Sequence, residues 1–175
     1  MSESLIQADT ALESLRSSDF DTYSAFGEVV DNSVQANAKN IWIYLQEKID
    51  RNTSRRSQIG RAIFIDDGYG MSHIELHKCL KLGHSSRYND RNGIGRFGVG
   101  MTLGAIHEAR RIEVYSKQEG GNWQWTYIDL DEIKGRDDAT IPSPVNKTPI
   151  IEGNVNLTQM ISGTVVIWQN YDKAV

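Results

Sequence analysis

Four stretches of this chain hold residue types that can do chemistry. The first is Glu28-Val29-Val30-Asp31-Asn32-Ser33, followed by Gln35. On a helix, Glu28, Asn32 and Gln35 share one face, while the valines lie largely on another. A carboxylate one turn from an amide suits phosphate chemistry. The amide oxygen is a hard ligand for Mg2+, which takes few protein ligands beside phosphates and waters. The carboxylate can accept a proton from a water attacking a phosphate. The same residues also fit the solvated face of a half-buried helix.

The second stretch is Asp66-Asp67-Gly68-Tyr69-Gly70-Met71, directly after the apolar run Ala62 to Ile65. An acid at a strand end is placed to meet a ligand, and the glycines permit tight turning and close backbone approach. A carboxylate there could accept a hydrogen bond from an exocyclic amine such as that of adenine. Asp and Gly are equally common in plain strand-to-helix turns. The third stretch, Gly93-Ile94-Gly95-Arg96-Phe97-Gly98-Val99-Gly100, leads into a helical pattern and has the look of a phosphate cradle. It matches G-x-G-x-x-G in form, yet no strand precedes it and no G-K-[ST] follows, which argues against dinucleotide and P-loop readings. The fourth is Ser162-Gly163-Thr164, before a β-rich run; a lone threonine there is usually strand filler.

The elements that must position these groups follow from pattern. Residues 9–17 and 19–37 read as helices, the first with capping-box spacing at Thr10 and Glu13. The second carries an apolar stripe of Phe26, Val29, Val30 and Val34 and ends at Asn37, which tolerates the left-handed conformation. Residues 41–45 and 62–65 read as strands, the latter central, joined by a polar loop over 47–59. Ser72 and Glu75 form a second capping box, opening a helix to about Leu82. Residues 83–98 read as a long glycine-rich loop and 99–108 as a helix. Strands at 111–117 and 123–130 form a hairpin about Gly120-Gly121, the three prolines of 142–149 mark a surface loop, and 164–169 is a last strand. Helices and strands mix without regular βαβ alternation, which predicts an α+β layer, a sheet with helices on one side.

The 175 residues suffice for one domain. The net charge of −4 gives no bulk electrostatic case for nucleic acid. A local basic stretch, Lys48 to Arg61, sets five basic residues against Asp50 and reads as a solvated loop. The single cysteine, Cys79, excludes an internal disulfide and a cysteine-rich zinc site, and reads as a small core residue. No apolar run approaches the roughly 18 residues of a membrane span. The start, MSESLIQADT, lacks a signal peptide's basic and apolar regions, so a cytoplasmic or other intracellular protein without membrane attachment is expected.

Taken in order, the four stretches resemble the boxes of the GHKL superfamily of ATPases, which includes gyrase B, the heat-shock chaperone of ninety kilodaltons, sensor histidine kinases and MutL, with MORC proteins close by. EVVDNS resembles the gyrase-type first box, DDGYGM the D-x-G-x-G box, IGRFGVGM the chaperone's glycine box and SGTVV the final box. The resemblance spans almost the whole chain and is closest in flavour to MORC-like or chaperone-like members. It implies an α+β fold, the two-layer α/β sandwich of Bergerat type, with a mixed sheet and helices on one face. It implies ATP and Mg2+ as ligands.

By position, Glu28 would be the general base and Asn32 would hold Mg2+. Asp66 would bind the adenine amine, with Gly68, Gly70 and Met71 shaping the base site and Thr164 supporting it. Residues 83–98 would be the ATP lid. Ser85, Ser86 and Arg87 would form its polar-basic patch, and Gly95, Arg96, Phe97, Gly98, Val99 and Gly100 its phosphate loop. ATP would close the lid and favour an ATP-dependent homodimer, a clamp acting on a DNA or protein client through regions outside this chain. Two departures stand out. Gln35 replaces an acid of many relatives, and the lysine or arginine that hydrolysing relatives take from a following domain is absent. Residues 1–175 are therefore expected to be a single domain, the N-terminal part of a longer protein, with weak turnover alone. Two other classes are a nucleotide-sensing module with little turnover and a histidine kinase catalytic domain. Glu28 argues against the latter, which transfers phosphate without activating water.

Overall fold

A computed structural model of the chain describes residues 7–17, 21–48, 58–82, 100–136 and 139–171. Its elements run α1 (Ala8–Arg16), α2 (Thr22–Gln35), β1 (Ile41–Lys48), β2 (Gln58–Asp66), α3 (His73–Lys78), α4 (Gly100–Glu108), β3 (Ala109–Lys117), β4 (Gln124–Asp129), α5 (Leu130–Ile133), β5 (Val145–Asn146) and β6 (Gly163–Tyr171).

The longest helix shows why this sequence folds as it does. Asp21 caps α2 by accepting from the Ser24 backbone N–H at 2.8 Å. Ala25, Val29 and Ser33 recur every four residues and are buried against the sheet. Phe26 stands edge-on to Phe64 and Trp168, with ring centroids 5.0 and 5.4 Å away. Asn37, at φ 55°, ends the helix in the left-handed conformation expected of it. The Ser72–Glu75 capping box also forms, but it opens only the short α3. The Thr10–Glu13 box does not form. Thr10 lies inside α1, whose N-cap is Gln7, and its backbone N–H is bonded by the neighbouring Asp9 carboxylate instead.

Six strands form one sheet in the order β1-β2-β6-β3-β4-β5, and every described pairing is antiparallel. The expected two-layer α+β sandwich is present, but the sheet is not mixed. The crossover from β2 through α3 and α4 sets β2 and β3 in the same direction. The last strand, β6, then inserts between them and pairs antiparallel with both.

The helices lie over one face, above Phe64, Ile112, Val114, Val166 and Trp168. The opposite face carries Ile63, Ile65, Tyr115, Val165 and Ile167, covered by Ile151, Val155, Leu157 and Met160. The proline segment is therefore not simply a surface loop. Pro144 and Pro149 are buried, and between them Val145-Asn146 adds a short edge strand to β4. The hairpin turns at Gly120, φ 74°, as its glycine pair predicts. Its second strand stops at Asp129, whose side chain accepts from the Asp131 and Glu132 backbone and starts α5. Cys79 packs on the helical-face core, and burial pushes its thiol pKa up to about 12, so it is inert at neutral pH.

Candidate functional site

The site begins at the end of β2. Register places Asp66 opposite Thr164 of β6, which in turn stands opposite Ser116 of β3. All three face the helical layer. Asp66 is only 6% exposed. Its Oδ2 accepts from the Ser33 hydroxyl at 2.9 Å, and its Oδ1 accepts from the Gly68 backbone N–H at 2.9 Å. Burial raises its pKa above the ordinary aspartate value, against the bonds from Gly68, Ser33 and the Thr164 backbone. Three internal donors fill only part of the carboxylate's four or so lone-pair sites, which leaves capacity for a ligand.

Two adjacent acids, Asp66 and Asp67, are given different work. Asp67 Oδ1 accepts from the Lys39 and Asn40 backbone at 2.7 and 2.8 Å, and Oδ2 accepts from the Asn40 amide at 2.8 Å. Burial pushes its pKa upward, but the bonds from Asn40 and Lys39 prevail and hold it below the ordinary value. Asp67 ties the α2–β1 connection to the sheet, whereas Asp66 faces the layer between sheet and helix.

The glycines after them have no room for side chains. A Cβ on Gly68 would lie 2.7 Å from the Ala36 carbonyl oxygen. Gly70 has φ 70°, and a Cβ there would overlap the Lys117 carbonyl. The Met71 N–H, one residue on, donates to the Ser116 hydroxyl at 2.8 Å. Ser162 donates to the Gly68 carbonyl at 2.8 Å, which ties the Ser162-Gly163-Thr164 stretch to the Asp66 turn.

Glu28 and Asn32 lie one turn apart on α2, Glu28 half-buried and Asn32 exposed. The Glu28 carboxylate rests against Gly100, the first residue of α4, where an added Cβ would overlap it. Burial raises the Glu28 pKa, and the charge of Asp31 raises it further. Asp31 thereby has a physical effect that its position in the sequence does not reveal. Ser33, which touches Asp66, lies five residues along α2 from Glu28, about 7.5 Å of helix rise. One helix thus spans from the Asp66 end to the Glu28 end of the site.

The structure brings Asp66, Gly68, Gly70, Met71 and Thr164 together, and sets Glu28 against Gly100 with Asn32 beside it. Ser85, Ser86, Arg87, Gly95, Arg96, Phe97, Gly98 and Val99 lie outside the described residues, as does the whole of the 83–98 loop. Ser33 and Ser116 are contributors that sequence reasoning missed. Ser33 had a signal: it continues the buried Ala25–Val29 stripe, and a hydroxyl on a core-facing stripe needs a partner. Ser116 had none, because only strand order places it beside Thr164.

Among the described residues no three or more His, Cys, Asp or Glu side chains group to hold a metal. A single exposed amide oxygen beside a carboxylate fits Mg2+ all the same, because that ion draws most of its ligands from phosphate and water. A hollow of about 220 Å³ between α1 and α5 lies apart, lined by Leu12, Leu130, Ile133, Asp9, Glu13 and Lys134. Its acids are engaged internally, Asp9 with the Gly135 N–H and Glu13 with Arg16 and Arg110, so the candidate site is the Asp66–Glu28 face. No helix among the described residues is long and apolar enough to cross a membrane.

The profile of the family described as "Histidine kinase-, DNA gyrase B-, and HSP90-like ATPase" matches residues 20–164. ATPase morc-1 of Caenorhabditis elegans is 32% identical over 97 residues, 55% of this chain and 10% of its own length. Protein MICRORCHIDIA 2 of Arabidopsis thaliana is 27% identical over 143 residues, 75% of this chain and 22% of its own. ATPase MORC2 of Homo sapiens is 27% identical over 127 residues, 70% of this chain and 12% of its own. The chain therefore spans less than a quarter of the length of these relatives.

Proposed function

Because this chain belongs to the histidine kinase-, DNA gyrase B- and HSP90-like ATPase family, with MORC proteins among its relatives, we propose that it binds ATP between α2 and the sheet and hydrolyses it. The observation that carries this reading is the division of α2. Its Ser33 end touches a buried Asp66 that still has lone pairs to offer, and its Glu28 end meets the start of α4.

Asp66 accepts a hydrogen bond from the exocyclic amine of adenine. Gly68 and Gly70 keep the turn narrow, and Met71 and Thr164 border the base. At the other end Glu28 accepts a proton from water as the water oxygen attacks the terminal phosphorus. The bond to the bridging oxygen breaks, and ADP leaves with that electron pair. The raised pKa of Glu28 makes it a stronger base than an ordinary glutamate. Asn32 would hold Mg2+ through its amide oxygen, and the ion would supply positive charge to offset that of the phosphates. Gly100, with no Cβ, lets Glu28 and the start of α4 approach each other.

The remaining parts of the reading come from the family. Residues 83–98 act as a lid, with Ser85, Ser86 and Arg87 and the glycines to Gly100 closing on phosphates. Closure favours dimerisation of two such domains, and a cation from a following domain completes the site, so the isolated domain turns over slowly. Any DNA or protein client is engaged by other regions of the full protein. Glu28→Ala is the test. ATP binding is retained and hydrolysis by the wild-type level is lost. A mutant that loses ATP binding while remaining folded would show that Glu28 is not the base.

A further inference from the structure

Ser116 lies outside the four motifs, yet it joins two of them. It is 1% exposed, so water does not supply its partners. Its hydroxyl has one proton and two lone pairs. The Met71 N–H donates to it at 2.8 Å, and it donates to the Gly163 carbonyl at 3.1 Å. One lone pair remains, and Thr164 Oγ1 stands 3.0 Å away. All three capacities are used only if Thr164 is the donor. The reverse polarity would leave a lone pair of Ser116 empty in a buried position and take its proton from the Gly163 carbonyl, one hydrogen bond fewer in all.

The consequence reaches the ligand. With its proton given to Ser116, Thr164 Oγ1 offers only lone pairs to the space beside Asp66. The Ser162 proton is likewise given away, to the Gly68 carbonyl. The Ser33 proton goes to Asp66 at 2.9 Å, with the Val29 carbonyl at 3.2 Å. Among the described residues, every hydroxyl around Asp66 thus has its proton committed within the protein, beside a carboxylate that only accepts. Resting on the ATP reading above, we propose that Ser116 is a positioning residue. It fixes the Thr164 hydroxyl as an acceptor, and so makes the base end select an exocyclic amine over a ring carbonyl. Adenine carries an amine where hypoxanthine and guanine carry a carbonyl oxygen, and that oxygen meets acceptors alone.

The test is the ratio of affinities for ATP, inosine triphosphate and guanosine triphosphate, with Mg2+, measured by displacement of a fluorescent ATP analogue from the full chain. The wild type prefers ATP. In Ser116→Ala the Thr164 hydroxyl is free to turn and donate to a ring carbonyl. The preference for ATP over inosine triphosphate then falls about tenfold, the worth of one hydrogen bond. A merely structural role would weaken all three nucleotides by the same factor, and that result overturns the proposal. Thr164→Ser, which keeps the hydroxyl beside Ser116, retains the preference, and Thr164→Val lowers it. This pair carries the same test should Ser116→Ala fail to fold, and equal ratios in the two overturn it. Wild-type protein that binds ATP and guanosine triphosphate equally overturns this inference but not the nucleotide site. Wild-type protein that binds none of the three overturns both.

Discussion

Replacing Asp66 by asparagine changes what the base end presents while leaving its internal bonds to be remade. The aspartate accepts from Gly68 N–H on one oxygen and from the Ser33 hydroxyl on the other. Asparagine can keep its oxygen toward Gly68, which has only a proton to give. Its NH2 then faces Ser33, whose hydroxyl can turn to accept, since the Val29 carbonyl at 3.2 Å is already a second acceptor for the Ser33 proton. The fold is therefore expected to survive.

Linkage supports this. The folded pKa of Asp66 lies above its unfolded value, so the fold favours the protonated carboxyl. The associated stability is full below the unfolded pKa and is lost as pH rises through the folded pKa. A neutral amide escapes that loss, and the melting temperature of the nucleotide-free mutant at neutral pH should not fall. Binding behaves differently. An NH2 on the ligand side opposes the adenine amine, donor against donor, where a charge-assisted bond stood. Such bonds contribute about 1.5–3 kcal/mol, which corresponds to roughly a ten- to hundredfold loss of ATP affinity. Isothermal titration with Mg-ATP measures the loss and a thermal melt checks the fold. An affinity within twofold of wild type, with an unchanged melt, would refute the assignment of Asp66 to the base.

Three further outcomes follow from the same geometry. ATP affinity should fall on acidification as Asp66 gains a proton, beginning at a higher pH than an ordinary aspartate would set because burial raises its pKa, and the Asp66→Asn protein should lack this step; titrations at several pH values read it. Gly70→Ala should destabilise the domain strongly: the left-handed φ of 70° alone costs roughly 1–2 kcal/mol, and the Cβ overlaps the Lys117 backbone besides, so a melting temperature equal to wild type contradicts the turn geometry. Phe26→Ala should cost about 3–5 kcal/mol in denaturant unfolding, because it removes the ring that stands on both Phe64 and Trp168.

The parts of this fold that were legible in the sequence are those set by local pattern. Asn37 bounded α2, the capping box opened α3, and the double glycine turned the hairpin, whereas the apolar stripe was legible only in part: Val34 is 60% exposed, and the buried line is Ala25, Val29 and Ser33. What was not legible depends on distant partners. That β6 lies between β2 and β3, and so makes the sheet antiparallel, is decided by a strand nearly a hundred residues after β2. The length of α3 fell short of its pattern because periodicity does not mark where tertiary packing stops rewarding another turn. The strand read through residue 130 stops at Asp129, whose side chain is also the cap that ends it.

The candidate site divides along the same line. Residue type pointed to Glu28, Asn32 and the Asp66 turn, but type alone could not separate Asp66 from Asp67, since both are acids at the same strand end. Their neighbours separate them. Asp67 receives three donors from residues 39–40 and is used up in holding a connection. Asp66 receives one side-chain donor, from the only polar member of the buried Ala25–Val29–Ser33 stripe, and keeps capacity to spare. The period of α2 therefore does two jobs at once. The positions that hold the helix on the sheet also deliver Ser33 to Asp66, and the positions a third of a turn away carry Glu28 and Asn32 along the opening. A substitution that rotates or lifts α2, such as loss of Phe26, should disturb both ends of the site together, which is what makes base recognition and water activation inseparable from the packing of this one helix.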